Sequence, residues 1–278
     1  MTSPPPVVLT IAGFDPSSGA GVTADIKTIA AHGCYGLACI TALTVQSSQG
    51  VLRVEGVSTR LIVDTLEALS DDLAIAAVHV GMLANAGAVR AVADFRKKKD
   101  LSHWVLDPIL RSSSGAALIN ASGKRLLIQQ LLPLASVTTP NVDEASAITG
   151  LPVTNPQQMR AAAIKLHEMG AAAVVVTGGH LEPAVDLLSF PANGGFEQEE
   201  FRSEHQPSRS THGTGCAFST ALACNLALGK TLSEAVMLAK AYVSVAIAHG
   251  QSLGRGIGPV NHLYRLQEET PERGTSPR

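Results

Sequence analysis

The segment Ser210-Thr211-His212-Gly213-Thr214-Gly215-Cys216 gathers hydroxyls, two glycines and a thiol within seven positions, just before the small-residue run Ala217-Phe218-Ser219-Thr220-Ala221-Leu222-Ala223. Glycines let a backbone approach a ligand closely, and the first free N–H groups of a helix point outward. Such an end favours anions, phosphate above all. The same field depresses the pKa of a cysteine at the helix start, so Cys216 is expected to be partly thiolate. An anion site beside a base suggests phosphoryl transfer. The plainer reading is a glycine turn that starts a core helix. The rest of the chain has to decide.

Those residues need a scaffold. With 278 residues, a net charge of −2 and 16% charged side chains, the chain has no basic field for nucleic acid or an anionic membrane surface. No uncharged apolar run is long enough to span a bilayer, and the start Met1-Thr2-Ser3-Pro4-Pro5-Pro6 lacks the pattern of a secretory leader. Cys34, Cys39, Cys216 and Cys224 lack zinc-site spacing, and three of them read as small core residues. A cytoplasmic protein with reduced thiols is the expectation.

Strand-like runs at 7–12, 38–45, 77–80, 104–106, 136–138 and 173–177 alternate with helical patterns at 20–31, 59–69, 86–99, 122–132, 142–149, 157–169, 215–228 and 233–249. Strands apolar along their whole length and separated by helices predict a mostly parallel sheet covered on both faces, a three-layer αβα sandwich. Segments 185–190 and 196–201 read as an edge hairpin. The expected organisation is a disordered 1–6, one domain over 7–264 and a mobile tail over 265–278. Ligands of such sheets sit at the carboxyl ends of the strands. There the chain places Asp15, Gln46, Gly81-Met82, Asp107, Asn141 with Glu144, and Thr177-Gly178-Gly179-His180.

Each candidate has two readings. Gly19-Ala20-Gly21-Val22-Thr23-Ala24 imitates a dinucleotide fingerprint, but 14–18 intervenes after the strand and the second strand ends at Gln46 rather than an acid. Glu144 could help to hold Mg²⁺, or could complete a capping box with Asn141. Asp25 is either a solvated helix residue or a cleft residue. Gln46 could pair at two points with an amide-like heterocycle edge, or be an ordinary loop residue. Met82 is core or ligand wall. His180 and His212 are weak signals alone.

Taken together, the motifs resemble the ribokinase superfamily and its vitamin-kinase branch, the hydroxymethylpyrimidine/phosphomethylpyrimidine kinases. They run from Thr10-Ile11-Ala12-Gly13, Asp15–Gly21 and Ala24-Asp25 through Gln46, Gly81-Met82-Leu83, Leu106-Asp107-Pro108 and Thr139-Pro140-Asn141, with Glu144-Ala145, to Gly178-Gly179-His180, 211–216 and 256–260. The resemblance implies a ribokinase-like fold, usually homodimeric, that uses ATP and Mg²⁺. Gly213 and Gly215 would form the anion hole, with Thr211, Thr214 and Asn141 on the nucleotide phosphates, Asn141 and Glu144 at the metal, and Cys216 as base. Gln46, Asp25, Gly13 and Met82 would bind the substrate, a hydroxymethylpyrimidine phosphorylated first on its hydroxymethyl group and then on its monophosphate. Pyridoxal kinase and a non-catalytic vitamin- or nucleotide-binding sensor are the alternatives. One departure stands out. Many family members carry a phosphate-neutralising lysine where this chain has Thr177, and Arg111 is a candidate substitute.

Overall fold

The computed structural model describes residues 3–179, 181–182, 184–203, 208 and 210–268. Its order is β1 (Val7–Phe14), α1 (Gly21–Ala31), β2 (Tyr35–Ser47), β3 (Gly50–Gly56), α2 (Thr59–Asp72), β4 (Ile75–Val80), α3 (Ala86–Lys98), β5 (His103–Leu106) and α4 (Ala121–Leu126). There follow β6 (Val137–Thr138), α5 (Val142–Thr149), α6 (Pro156–Glu168), β7 (Val174–Gly178), β8 (Ala184–Ala192), β9 (Gly195–Ser203), α7 (Thr214–Ala227), α8 (Leu232–Ala248) and α9 (Arg265–Glu268). The described strands form one sheet in the order β3-β2-β1-β4-β5-β6-β7-β8-β9. The six strands from β2 to β7 in that order are parallel, while β3, β8 and β9 join antiparallel.

Strand alternation builds the three layers. Leu9, Ile11, Val78 and Val80 pack on one face with Ile62 and Leu66 of α2, Val89 of α3 and Leu166 of α6. Their neighbours Val8, Ala77 and Val105 pack on the other face with Ile29 of α1, Phe218 and Leu222 of α7, and Val236 and Tyr242 of α8. Burying each such aliphatic side chain contributes about 1.5–3 kcal/mol. The expected αβα sandwich is therefore the observed one.

Three details differ from the expectation. β3 went unanticipated because it is a one-sided edge strand, with Leu52 at 83% exposure and no buried alternation to mark it. The helix expected at 122–132 breaks into α4, a π-type turn over Leu127–Leu131 and a 3₁₀ turn containing Pro133. Proline lacks the N–H that would carry the helix on. The edge hairpin is the full β8–β9 pair, and Asn193 and Gly194 both have positive φ, as a tight two-residue hairpin requires. Of the expected disordered start, Pro6 pairs through its carbonyl with the Tyr35 N–H. His180 and 269–278, most of the expected tail, lie outside the described residues.

Candidate active site

α7 begins at the rim formed by the carboxyl ends of the parallel strands. Its N-cap, Gly213, has φ +83° and brings no side-chain cap. A Cβ on Gly213 would fall inside the Gly19 carbonyl, so this glycine is demanded by the close approach of two loops. Gly215 differs. It is exposed, and a Cβ there would meet nothing nearer than Asp107 Oδ2 at 3.9 Å. Protein packing leaves room for a side chain at Gly215, so packing is not what requires glycine there. Thr214 Oγ1 donates to the Thr211 carbonyl at 2.7 Å and tightens the turn. The glycines of the fingerprint-like segment have packing reasons too. Gly19 backs onto the His212 ring and Gly21, with φ +58°, onto the Gly13 carbonyl.

Cys216 follows at 9% exposure. Here the expectation of a partial thiolate is corrected. Burial pushes the Cys216 thiol well above the usual cysteine range, and the charges of Asp25 and Asp107 add to it, with a smaller contribution from Glu144. A Gly21 N–H to the sulfur works in the opposite direction without prevailing. The helix terminus is only a partial charge, and the cost of a thiolate in that poorly solvated interior exceeds what it returns.

Asp25 is also corrected. It is neither solvated nor lining a cleft, with 0% exposure. Thr10 Oγ1 donates to its Oδ2 at 2.6 Å and Thr220 Oγ1 to its Oδ1 at 2.9 Å, with His79 Nδ1 3.4 Å away. Alternation along β1 and β4 turns Thr10 and His79 toward α1 and α7, which is why this polar knot sits between layers. In this arrangement Asp25 ties β1 to α7 through Thr10 and Thr220.

Asn141 and Glu144 form a complete capping box on α5: Asn141 Oδ1 accepts the Glu144 N–H at 2.9 Å, and Glu144 Oε2 accepts the Asn141 N–H at 3.1 Å. Burial, outweighing hydrogen bonds from Asn141 and Leu110, pushes Glu144 up to about 7. Asp107, buried at the end of β5, is raised well above the usual range by burial and by the charges of Glu144 and Asp25. Asp107 was marked in sequence only as a polar strand end; its neighbours reveal more.

Gln46 faces an open cleft of about 330 Å³ whose walls include Ser17, Gly19, His212 and Pro259. Gly13 and Met82 lie side by side, since a Cβ on Gly13 would come 2.8 Å from Met82 Sδ, and Met82 is buried with Ala42 and Leu118. The sequence marked Asp15 only as a polar strand-end and motif residue and His212 only as a weak signal, and it did not pair them. His212 Nε2 is 2.9 Å from Asp15 Oδ2, joining the loop after β1 to the loop before α7. Asp15 also accepts the Ser17 N–H, the Ser17 hydroxyl and the Ala20 N–H. An Asp-Pro-Ser turn was the available signal for that role.

Thr177 lies opposite Asp186 in the β7–β8 pair. Lys240 of α8 pairs with Asp186 Oδ2 at 2.9 Å, and Asp186 Oδ1 accepts the Gly178 N–H. Arg111 is exposed and donates to the Gly115 carbonyl at 3.0 Å. Its loop leans toward the β2–β3 turn, where a Cβ on Gly50 would lie 2.9 Å from Ser114 Oγ. The structure does not bring Arg111 to Thr177.

Known proteins bear on this geometry. The family model for phosphomethylpyrimidine kinase matches residues 15–261. The hydroxymethylpyrimidine/phosphomethylpyrimidine kinase of Haemophilus influenzae is 40% identical over 262 residues, covering 92% of this chain and 96% of that protein. The bifunctional thiamine biosynthesis protein of Geobacter sulfurreducens is 40% identical over 263 residues, and the chain spans 53% of its length. Among solved structures, an ADP complex of Bacillus subtilis pyridoxal kinase superposes with a TM-score of 0.84 at 34% identity, over 94% of this chain and 99% of that one. A fold shared with vitamin kinases, together with this extent of matching sequence, means that the chain belongs to the phosphomethylpyrimidine kinase family and is a phosphotransferase.

Proposed function

We propose that the enzyme transfers the γ-phosphoryl group of ATP to 4-amino-5-hydroxymethyl-2-methylpyrimidine, and then a second phosphate to the resulting monophosphate. The observation that carries the reading is the open α7 terminus, with an exposed Gly215 that packing leaves unfilled, beside a cleft that presents Gln46. Phosphoryl transfer depends mainly on positioning and charge stabilisation. The backbone of 213–215, with Thr211 and Thr214, would receive the phosphates, Asn141 would flank them, and Gln46 would pair with the aminopyrimidine edge above Gly13 and Met82.

The residues present fit a divalent cation. Burial and the charge of Glu144 oppose ionisation of Asp107, burial opposes that of Glu144, and a cation held by these carboxyls would relieve the cost. Among the described residues no three metal-ligating side chains cluster, which suits Mg²⁺, an ion that keeps waters and phosphate oxygens as ligands. When bound, the ion would neutralise charge developing on the phosphates. Cys216 is a neutral thiol in the free protein; it would first have to lose its own proton to solvent, and the resulting thiolate would then take the hydroxymethyl proton.

Pyridoxal is the second reading, favoured by the superposition on a pyridoxal kinase. Among the described residues no helix is long and apolar enough to cross a membrane. We assign the enzyme to the cytoplasm as a homodimer, a reading supported by the exposed apolar side chains Leu43, Val45 and Leu52 on the β2–β3 ribbon. A coupled ADP-release assay decides the substrate. The aminopyrimidine alcohol and its monophosphate should both be turned over with kcat/KM above that of pyridoxal, and the reverse preference overturns the assignment.

A further inference from the structure

We propose that His212, held by Asp15, is a positioning residue that fixes the direction of the Gln46 carboxamide and so sets which heterocycle edge the cleft accepts. The inference rests on the reading of Gln46 as the residue that meets the substrate ring.

Donors and acceptors around Gln46 have to pair. Burial opposes ionisation of Asp15, but hydrogen bonds from His212 and Ser17 outweigh it and hold its carboxyl below the usual range. Asp15 is therefore an acceptor only, and the proton it shares with His212 resides on the imidazole Nε2. Gln46 Nε2 lies 3.2 Å from that same ring nitrogen. Two donors cannot bond. At the other end of the amide, Gln46 Oε1 lies 3.2 Å from Thr44 Oγ1, whose hydroxyl also reaches the Phe14 carbonyl at 3.0 Å. A hydroxyl has one proton, so Oε1 and the Phe14 carbonyl compete for it.

Turning the carboxamide over resolves both conflicts, because amide oxygen and nitrogen are interchangeable in shape. The Gln46 oxygen then shares the single His212 Nε2–H with Asp15 in a three-centre bond, the Gln46 nitrogen donates to Thr44 Oγ1, and Thr44 donates to the Phe14 carbonyl. One lone pair and one N–H of Gln46 remain for the cleft, in a fixed order. That order matches a ring presenting an exocyclic amine beside a ring nitrogen. An amide without His212 turns freely and reads either order, which removes discrimination at its source. His212 is itself well fixed. Its ring backs onto Gly19, and its backbone N–H donates to the Gly258 carbonyl at 3.0 Å.

The test compares kcat/KM for the aminopyrimidine alcohol and for pyridoxal in four proteins: wild type, His212→Leu, His212→Gln and Gln46→Met. His212→Leu is expected to lower the selectivity ratio about tenfold, the worth of one lost hydrogen bond, through KM more than kcat. His212→Gln restores an N–H near the position of the imidazole Nε2 and should bring the ratio back to within about threefold of wild type. A wild-type ratio in His212→Leu, or a ratio in His212→Gln as low as in His212→Leu, overturns the positioning role. An unchanged ratio in Gln46→Met overturns the reading of Gln46 and this inference with it. A lowered ratio there beside an unchanged His212→Leu overturns this inference alone. Should the leucine variant fail to fold, the nitrogen-15-labelled wild-type protein decides. The Gln46 amide protons should show contacts to Thr44, and contacts to His212 instead overturn the proposal.

Discussion

Two helices begin at the same rim and meet their unpaired N–H groups in opposite ways. α5 is closed by its own side chains: Asn141 caps it, Glu144 caps back, and both sit in the first turn. α7 starts at Gly213 without a side-chain cap and continues through Gly215, where a Cβ would stand in open space. A helix start that satisfies itself contributes stability. One that leaves its donors open gives up that contribution and keeps an anion site. The difference leaves the backbone of α7 open at the rim and that of α5 closed, although both carry rim residues named by the family motifs.

The sharpest way to break this contrast is Gly215→Ala. A methyl group there has room in the free protein but occupies the approach to the α7 backbone. Turnover should fall roughly 10²–10³-fold, the scale of losing an anion-hole donor, while thermal stability rises by about 0.5–1 kcal/mol because alanine suits a helix better than glycine. Full activity in this variant would move the phosphates elsewhere. Cys216→Ala comes next, with a loss of roughly 10²-fold or more in turnover and largely intact ATP binding. Before substrate is added, the buried and protonated thiol should resist alkylation at neutral pH. Rapid labelling of the free enzyme would show that the carboxylates around it do not govern its titration.

At α5 the expected signature is in stability against pH. Glu144 titrates near 7 in the folded chain against an ordinary 4.5. Between those values the folded state binds more protons than the unfolded one, so stability falls as pH rises through that window. The expected loss in metal-free protein is about 3 kcal/mol. Glu144→Gln keeps the capping geometry and should flatten the slope; chemical denaturation at pH 5 and pH 8 reads this directly. An equal slope in the variant would assign the titration to another group. The smallest effect belongs to Thr177→Lys. The Lys240–Asp186 pair lies across the β7–β8 register from Thr177, and an added lysine would share that carboxylate. Its gain in kcat/KM should stay within about threefold, and Arg111→Ala should change ATP use by no more. A tenfold gain from Thr177→Lys would show that the rim lacks a cation at the phosphates.

The layers were legible because burial writes itself into strands such as β1 and β7, apolar along their length, and into helices with one covered face. β3 was not, since Leu52, Arg53 and Glu55 are all exposed and an edge needs no apolar alternation. At the site, glycines and the thiol could be read in order along 210–216, and the capping box from the Asn141–Glu144 spacing. The charge state of Cys216 could not. It depends first on burial and then on Asp25 and Asp107, remote in sequence and brought to the thiol only by packing α1 and β5 against α7.

The sequence by itself determined the αβα arrangement, the family, and the glycine-bearing loop that starts α7, because these follow from periodicity and from residue types in short segments. The tertiary structure alone decided that Asp25 is buried beneath the site, that His212 joins Asp15 to Gln46, and that the thiol is neutral at rest. Hydrogen-bond partners and buried charges are set by distance in space, and neighbours that meet across β1, β2 and α7 leave no spacing along the chain to read.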